Sequence, residues 1–172
     1  MSWIMVDVET DGPCPGIFSM ISVGAVVVEP QLERTFFAKL RPITERFDPE
    51  ALKVNGFTRE QTLAFPPALR GIHDFADWVG RNGGKKPMFI SDNNGFDWQF
   101  ANYYFHHYLD RNPFGHSSTN LGSLYKGLVK NMTLNFKHLR QTKHTHNPVD
   151  DARGNAEAFL HMQAQMGLVV RS

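Results

Sequence analysis

The sequence predicts an α/β protein in which a mixed β-sheet is flanked by α-helices. The first forty residues hold three stretches rich in Ile, Val and Phe, separated by turn-forming residues, which is typical of an antiparallel meander. The pattern then changes to helix, strand, helix and further helices. Such an order adds parallel strands to the meander and places helices against the sheet.

The strands of the meander are predicted at Ile4–Glu9, Ile17–Val28 and Thr35–Leu40. A helix follows over Ala68–Asn82, because apolar residues recur there every three or four positions and Gly83-Gly84 ends the pattern. The next predicted elements are a short buried strand at Met88–Ile90, a helix over about Phe96–Leu109, a helical stretch over Thr119–Lys130 and a further turn of helix near Asn135–Gln141.

A final helix is predicted to begin at Asp150, which would serve as its N-cap, and to end at Gly167. The chain shows no internal repeat, no low-complexity tract and no linker that would divide it. With 172 residues, it is predicted to form a single domain over residues 1–172.

Composition narrows the classes of function. The chain is 41% hydrophobic with a net charge of +1, and no apolar run approaches the roughly 18 residues that a membrane helix needs. We therefore expect no membrane association. No secretion signal is evident, and Cys14, the only cysteine, cannot form an intrachain disulfide. These features favour the cytoplasm.

The charges are distributed unevenly. Between Arg111 and Val149 there is no acidic residue, whereas six basic ones occur there: Arg111, Lys126, Lys130, Lys137, Arg140 and Lys143. This asymmetry indicates an anionic partner for one face of the protein. The alternative is a basic face that is merely solvated.

The first strand carries two acidic side chains on one face. Because strand residues alternate between faces, Ile4, Val6 and Val8 should point into a core, and Asp7 and Glu9 should point the other way. Two such carboxylates repel each other unless a cation lies between them, and oxygen ligands suit Mg²⁺ or Mn²⁺. The alternative is a strand whose acidic end reaches solvent.

Two later segments add residues of the same chemical kind. Asp97 lies in the first turn of a predicted helix, where a carboxylate is also favourable simply because of the helix dipole. His146 ends a polar loop five residues before Asp151. A histidine can act as a general base near neutral pH, although a surface histidine beside an acidic cap is the commoner arrangement.

Together these segments form three ordered motifs. They are Asp7-Val8-Glu9, Asn93-Asn94-Gly95-Phe96-Asp97 and His146 through Asp151. The set resembles the motifs D-x-E, N-x-x-[FY]-D and H-x4-D of the DEDDh family of 3′→5′ exonucleases, which have a ribonuclease-H-like fold. The resemblance extends from Val6 to about Phe159, and the segment around Asp48–Gly56 is also similar to the family.

The resemblance implies a role for each matching residue. Asp7 would bridge two divalent cations, Mg²⁺ or Mn²⁺, while Glu9 and Asp151 would hold one of them and Asp97 would support the second. His146 would be the general base in two-metal hydrolysis of a phosphodiester bond. Asp150 lies beside Asp151, but the spacing from His146 selects Asp151.

The implied activity is removal of nucleoside 5′-monophosphates from 3′ ends of single-stranded RNA or DNA. RNA is favoured because small stand-alone members of the family are commonly ribonucleases, and homodimers are common among them. Candidate substrate contacts are two motif residues, two aromatic residues that could stack on bases and one cation: Thr10, Asn93, Phe57, Phe100 and Lys143. Each aromatic residue could instead be part of the core.

Two features depart from the family pattern. Asp92 stands where many members have a histidine, and two prolines flank Cys14 in the loop Asp11–Gly16 after the first motif. Three alternatives stay open: a proofreading-type exonuclease of single-stranded DNA, a nucleic-acid-binding module without activity, and a hydrolase of another phosphate ester. The last would not need the basic stretch.

Overall fold

The computed structural model describes residues 2–170. Its elements in chain order are β1 (Ser2–Thr10), β2 (Met20–Val27), β3 (Thr35–Lys39), α1 (Pro49–Val54), α2 (Arg59–Leu63), α3 (Ala68–Asn82), β4 (Pro87–Ser91), α4 (Asn94–Leu109), β5 (Ser118–Asn120), α5 (Leu121–Val129), a short 3₁₀ turn (Lys137–Leu139) and α6 (Pro148–Gln165).

The five strands form one mixed sheet in the order β3-β2-β1-β4-β5. The pairs β1–β2 and β2–β3 are antiparallel, whereas β4 lies parallel to both β1 and β5. This arrangement confirms the predicted fold class of a meander extended by parallel strands and flanked by helices. It also makes β1 the central strand, so both edges of β1 are hydrogen-bonded.

The side chains of β1 alternate between two hydrophobic cores. Ile4, Val6 and Val8 pack with residues of α3 and α4, including Phe75 and Phe105. On the opposite face Met5 packs with residues of α5 and α6, so helices cover the sheet on both sides. The alternation predicted for β1 is therefore confirmed, and it leaves the acidic positions on the face that α6 covers.

The helix predicted over Thr119–Lys130 was wrong at its start. Ser118, Thr119 and Asn120 form β5, and the helix begins only at Leu121. The short strand has no apolar residue that would reveal a period of two, and its conformation follows from pairing with β4. The Asn120 side chain then accepts a hydrogen bond from the Ser123 amide and caps α5.

The predicted N-cap of α6 was also wrong. Asn147, rather than Asp150, is the cap, because its Oδ1 accepts a hydrogen bond from the Val149 amide at 3.0 Å. Pro148 occupies the first helical turn, where its missing N–H is not needed. Asp150 lies inside this turn and accepts a hydrogen bond from the Thr145 hydroxyl at 3.2 Å.

The start of α6 lies directly against β2. Gly24, which pairs with Asp7 across the β1–β2 ladder, faces the backbone of Pro148 and Val149. A β-carbon at this position would overlap that backbone, so only glycine allows such a close approach. The contact brings the first turn of α6 next to the acidic face of β1.

Within residues 2–170, no helix combines the length and the apolar character required to cross a membrane.

Candidate active site

Three carboxylates converge where β1 meets α6. Asp7 and Glu9 lie on the same face of β1, and Asp151 comes from the first turn of α6. One carboxylate oxygen from each lies within 4.8 Å of the others. Glu9 and Asp151 are almost entirely buried. Three acidic groups this close favour a bound cation.

Asp97 is the fourth carboxylate of the site. It lies in the first turn of α4 and is 3% exposed. Its Oδ1 accepts a hydrogen bond from the Val8 amide at 3.4 Å, which connects α4 to β1 between Asp7 and Glu9. Its Oδ2 is buried and makes no hydrogen bond within residues 2–170. A buried carboxylate oxygen without a partner is suited to a cation or to a water molecule held by one.

Burial and repulsion from neighbouring carboxylates raise the pKa values of Asp7, Glu9 and Asp97. Burial is the main reason that the pKa of Asp7 lies well above its usual range, and the charges of Asp97 and Glu9 add to it. Burial, followed by repulsion from Asp151 and Asp97, raises the pKa of Glu9 to about 8. Burial raises the pKa of Asp97 to about 7. Removing these carboxylates from water is therefore costly unless positive charge is added.

The loop before α6 is folded around Asp151. The Thr145 amide donates to Asp151 Oδ1 at 2.9 Å, and the His146 amide donates to Asp151 Oδ2 at 3.0 Å. His146 has a φ of 59°, in the left-handed region that non-glycine residues rarely adopt. Its Nδ1 lies 3.9 Å from Glu9 Oε1, and its side chain is 41% exposed. The loop thus holds His146 at the open side of the carboxylate cluster.

His144 also reaches this cluster, and sequence reasoning missed it. Its Nδ1 lies 2.9 Å from Asp151 Oδ2, and its ring stands edge-on to the His146 ring with centroids 4.3 Å apart. The signal that could have identified it is a second histidine two positions before His146 in the same polar loop.

The candidate substrate contacts have different surroundings. Thr10 is buried, and its hydroxyl donates to the Gly12 carbonyl at 2.8 Å, so it shapes the following loop. Asn93 and Lys143 are exposed and remain candidate contacts. The prediction for Phe100 was wrong, because this side chain has no exposed surface on which a base could stack.

Phe57 remains available for stacking. It is half-buried and lines a cavity of about 260 Å³ together with Lys39 and His146. The Lys39 ammonium lies 5.0 Å from the centre of the Phe57 ring. The cavity therefore joins an aromatic surface and a cation to the histidine of the third motif.

Ion pairs fix the two segments that depart from the family pattern. Asp11 is fully buried and pairs with Arg59 at 2.9 Å, which anchors the loop after the first motif. Asp92 pairs with Arg140 at 2.9 Å. Arg140, which belongs to the basic stretch expected to contact phosphates, is therefore occupied with Asp92 and is largely buried.

The comparison with protein families decides the classification. The model of the RNase_T exonuclease family matches residues 4–159. The chain belongs to this family. All three motifs lie within the matched range, and the 3′→5′ exonuclease type predicted from them is confirmed.

Individual relatives agree with this classification. The RNase_T chain is 35% identical over 168 residues to Cap18, a 3′-5′ DNA exonuclease of Escherichia coli, covering 91% of this chain and 89% of the relative. The fold of this chain is similar to that of the nuclease domain of 3′hExo, a DEDDh family member solved with rAMP, with a TM-score of 0.72. The two sequences are 16% identical, and the match covers 99% of this chain and 96% of the other. Escherichia coli exonuclease I, solved with a dT13 oligonucleotide, also has a TM-score of 0.72, with 14% identity over 95% of this chain and 41% of that one.

Exonucleases of this family use divalent metal ions. The residues of this chain fit such ions, because Asp7, Glu9 and Asp151 offer hard oxygen donors at close range. Asp97 Oδ2, which has no hydrogen-bond partner among residues 2–170, and the raised pKa values of Asp7, Glu9 and Asp97 indicate the same need for positive charge.

Proposed function

We propose that this RNase_T exonuclease hydrolyses single-stranded DNA from the 3′ end by a two-metal mechanism and releases nucleoside 5′-monophosphates. The observation that carries the proposal is the convergence of Asp7, Glu9 and Asp151 beside His146. A non-catalytic binding module is disfavoured because no acidic ligand and no base is missing from this arrangement.

The four carboxylates would hold two divalent cations, Mg²⁺ or Mn²⁺. Asp7 would contact both ions, Glu9 and Asp151 would hold the first, and Asp97 would support the second through its Oδ2, which makes no hydrogen bond among residues 2–170. When bound, the ions supply positive charge that stabilises the attacking and leaving oxygens of the phosphodiester. The carboxylates set the spacing of this charge and are relieved of their mutual repulsion.

His146 would act as the general base. Its partly exposed imidazole, 3.9 Å from Glu9, can accept the proton of an attacking water at the edge of the carboxylate cluster. The hydrogen bonds from the Thr145 and His146 amides to Asp151 couple the position of this base to that of a metal-holding residue. The base and the ions would therefore be aligned by the same side chain.

The choice of DNA rests on the relative Cap18, whose name describes a DNA exonuclease. The family resemblance favoured RNA, because small stand-alone members of the family are commonly ribonucleases, and that preference stays a prediction. A cleavage assay on strands of identical base sequence compares RNA with DNA directly.

Contacts to the substrate would come from the open side of the site. Lys143 is exposed on the loop of residues 142–147 before α6 (the His146 loop) and could pair with a phosphate, while Phe57 and Lys39 offer a stacking face and a cation. Thr10 would act through the shape of the Asp11–Gly16 loop, and Asn93 would face the substrate from the start of α4.

The test compares 5′-labelled single strands of identical base sequence made of DNA, of RNA, or of DNA with one ribonucleotide at the 3′ end. We expect Mg²⁺-dependent ladders that shorten from the 3′ end, with DNA degraded fastest. A slower first cleavage of the chimeric strand would place sugar recognition at the terminal nucleotide. Faster degradation of RNA would overturn the choice of DNA, and an intact 3′ end on all three strands would overturn the proposed function.

A further inference from the structure

A second set of metal-binding atoms overlaps the site. His144, His146 and Asp151 offer two imidazole nitrogens and one carboxylate oxygen within 4.8 Å of one another. Both histidines are about half exposed, at 51% and 41%, whereas Asp151 is almost fully buried. The two histidines are thus open to solvent, while Asp151 in the first turn of α6 is held in place by two backbone amides of the loop.

The two sets of donors differ in chemical character. Asp7, Glu9 and Asp151 supply only oxygen, which suits hard ions such as Mg²⁺. Two histidines and one carboxylate form the donor set of open Zn²⁺ sites, in which solvent fills the remaining positions. Zn²⁺ also binds such nitrogen ligands more strongly than Mn²⁺ does.

The geometry points to a site for Zn²⁺ on the His146 loop, formed by His144, His146 and Asp151, whose occupation stops the exonuclease. A nitrogen of His146 that binds Zn²⁺ has no lone pair left to accept a proton. The ion would also bind Asp151, which the catalytic ions need as a ligand. Zn²⁺ would therefore inhibit while Mg²⁺ supports hydrolysis.

The inhibitory part of this inference rests on the proposed role of His146 as base, whereas the binding part does not. The two parts can therefore be tested separately. Binding is measured directly on the metal-free protein, and inhibition is measured as the ratio of the rates with and without Zn²⁺ at saturating Mg²⁺.

His144→Asn is the informative variant. The asparagine amide can still donate to Asp151 from nearly the position of His144 Nδ1, but it offers no imidazole nitrogen to a metal. The carboxylates Asp7, Glu9 and Asp151 stay unchanged. His73→Ala, which removes an exposed histidine from α3, is the matched control for loss of a surface imidazole.

Binding is followed by calorimetric titration with Zn²⁺ and by the visible absorption of Co²⁺, which changes with the number, type and geometry of its ligands. We expect one Zn²⁺ per chain at this site and affinity at least about 10-fold weaker in His144→Asn. The control should bind as the unmodified protein does. Equal affinity in His144→Asn would assign the ion to the carboxylates and overturn the site, as would the absence of Zn²⁺ binding to the unmodified protein.

Inhibition is measured as the ratio of the cleavage rates with and without Zn²⁺ at saturating Mg²⁺. We expect Zn²⁺ to inhibit the unmodified protein and His73→Ala at the same concentration, and His144→Asn only at about 10-fold higher concentration. Zn²⁺ binding without inhibition would overturn the inhibitory role. A protein that binds Zn²⁺ through His144 but never cleaves DNA or RNA would refute the proposed function while leaving the metal site intact.

Discussion

At the scale of single residues, the site stores unfavourable electrostatic energy. Burial raises the pKa of Glu9 to about 8, and the neighbouring carboxylates add to the shift. In the unfolded chain the same group titrates near 4.5. Between these two values the folded protein binds more protons than the unfolded chain does. Without metal, its stability must therefore fall as the pH rises through this range.

Glu9→Gln should remove much of this pH dependence. At pH 5 the variant and the unmodified protein should be similarly stable, because folded Glu9 is then protonated. At pH 8, without metal, we expect the variant to be more stable by about 1–3 kcal/mol, because its unfolded chain no longer gains free energy by ionising a carboxyl group that stays partly protonated in the folded protein. Chemical unfolding with a chelator present measures this difference.

Glu50→Gln serves as the control for that experiment, because Glu50 is 80% exposed in α1. It should leave the pH dependence of the unfolding free energy unchanged. If the unfolding free energies of Glu9→Gln and the unmodified protein changed with pH in the same way, burial of the Glu9 carboxylate would not destabilise the folded protein.

Replacement of His146 tests its role as the base. Asparagine is the suitable substitute, because it tolerates the φ of 59° better than alanine does. His146→Asn should lower kcat by roughly 10²–10⁴-fold while Mg²⁺ still binds, as expected for loss of a general base. Single-turnover rates and a Mg²⁺ titration measure the two effects. Unchanged turnover would remove His146 from the mechanism.

The placement of the candidate site residues was largely predictable because these residues belong to short motifs. Asp7, Glu9, Asp97, His146 and Asp151 do lie together, and the spacing that selected Asp151 over Asp150 agrees with the convergence of its carboxylate on Asp7 and Glu9. Pairings between distant segments were not predictable. The ion pair of Asp92 with Arg140 joins residues 48 positions apart, and no periodicity in the sequence encodes such contacts.

At the scale of elements, the contact between β2 and α6 positions the third motif. β1 supplies Asp7 and Glu9, but Asp151 reaches them only because α6 begins directly over Gly24. The long elements were predictable from their apolar periodicity, as the bounds of α3 show. The short polar strand β5 was not, because pairing with β4 rather than its own composition determines it.

Gly24→Ala should displace the start of α6. The added methyl group would overlap the backbone of Pro148 and Val149, so Asp151 should move away from Asp7. We expect destabilisation of about 1–3 kcal/mol from overpacking and a weaker apparent affinity for Mg²⁺ in the nuclease assay. Thermal unfolding and a Mg²⁺ titration measure both.

The control for this substitution is Gly80→Ala in α3. Among residues 2–170, no atom outside the local helix backbone lies within 4 Å of the added β-carbon there, and alanine favours a helix. This variant should be slightly more stable and equally active. If Gly24→Ala behaves as Gly80→Ala does, the close approach of α6 to β2 does not position the site.

At the scale of the whole molecule, the fold gathers the candidate catalytic residues from three separate parts of the chain. β1, α4 and α6 meet at one end of the sheet, and the aromatic and cationic cavity lies beside them. Three features stay predictions: the action of residues 1–172 as one exonuclease domain, the formation of a homodimer and a cytoplasmic location. Met1, Arg171 and Ser172 lie outside the described residues.

In the proposed mechanism Asp151, together with Asp7 and Glu9, holds the ions required for cleavage at the 3′ end. The most direct test compares Asp151→Asn with its neighbour Asp150→Asn on 5′-labelled single-stranded DNA with Mg²⁺ and with a chelator. Asp151 is 2% exposed in the cluster, whereas Asp150 lies outside it. We expect the unmodified protein and Asp150→Asn to produce a Mg²⁺-dependent ladder from the 3′ end, and Asp151→Asn to leave the strand intact. Equal digestion by Asp151→Asn, or digestion that persists with the chelator, would contradict the account.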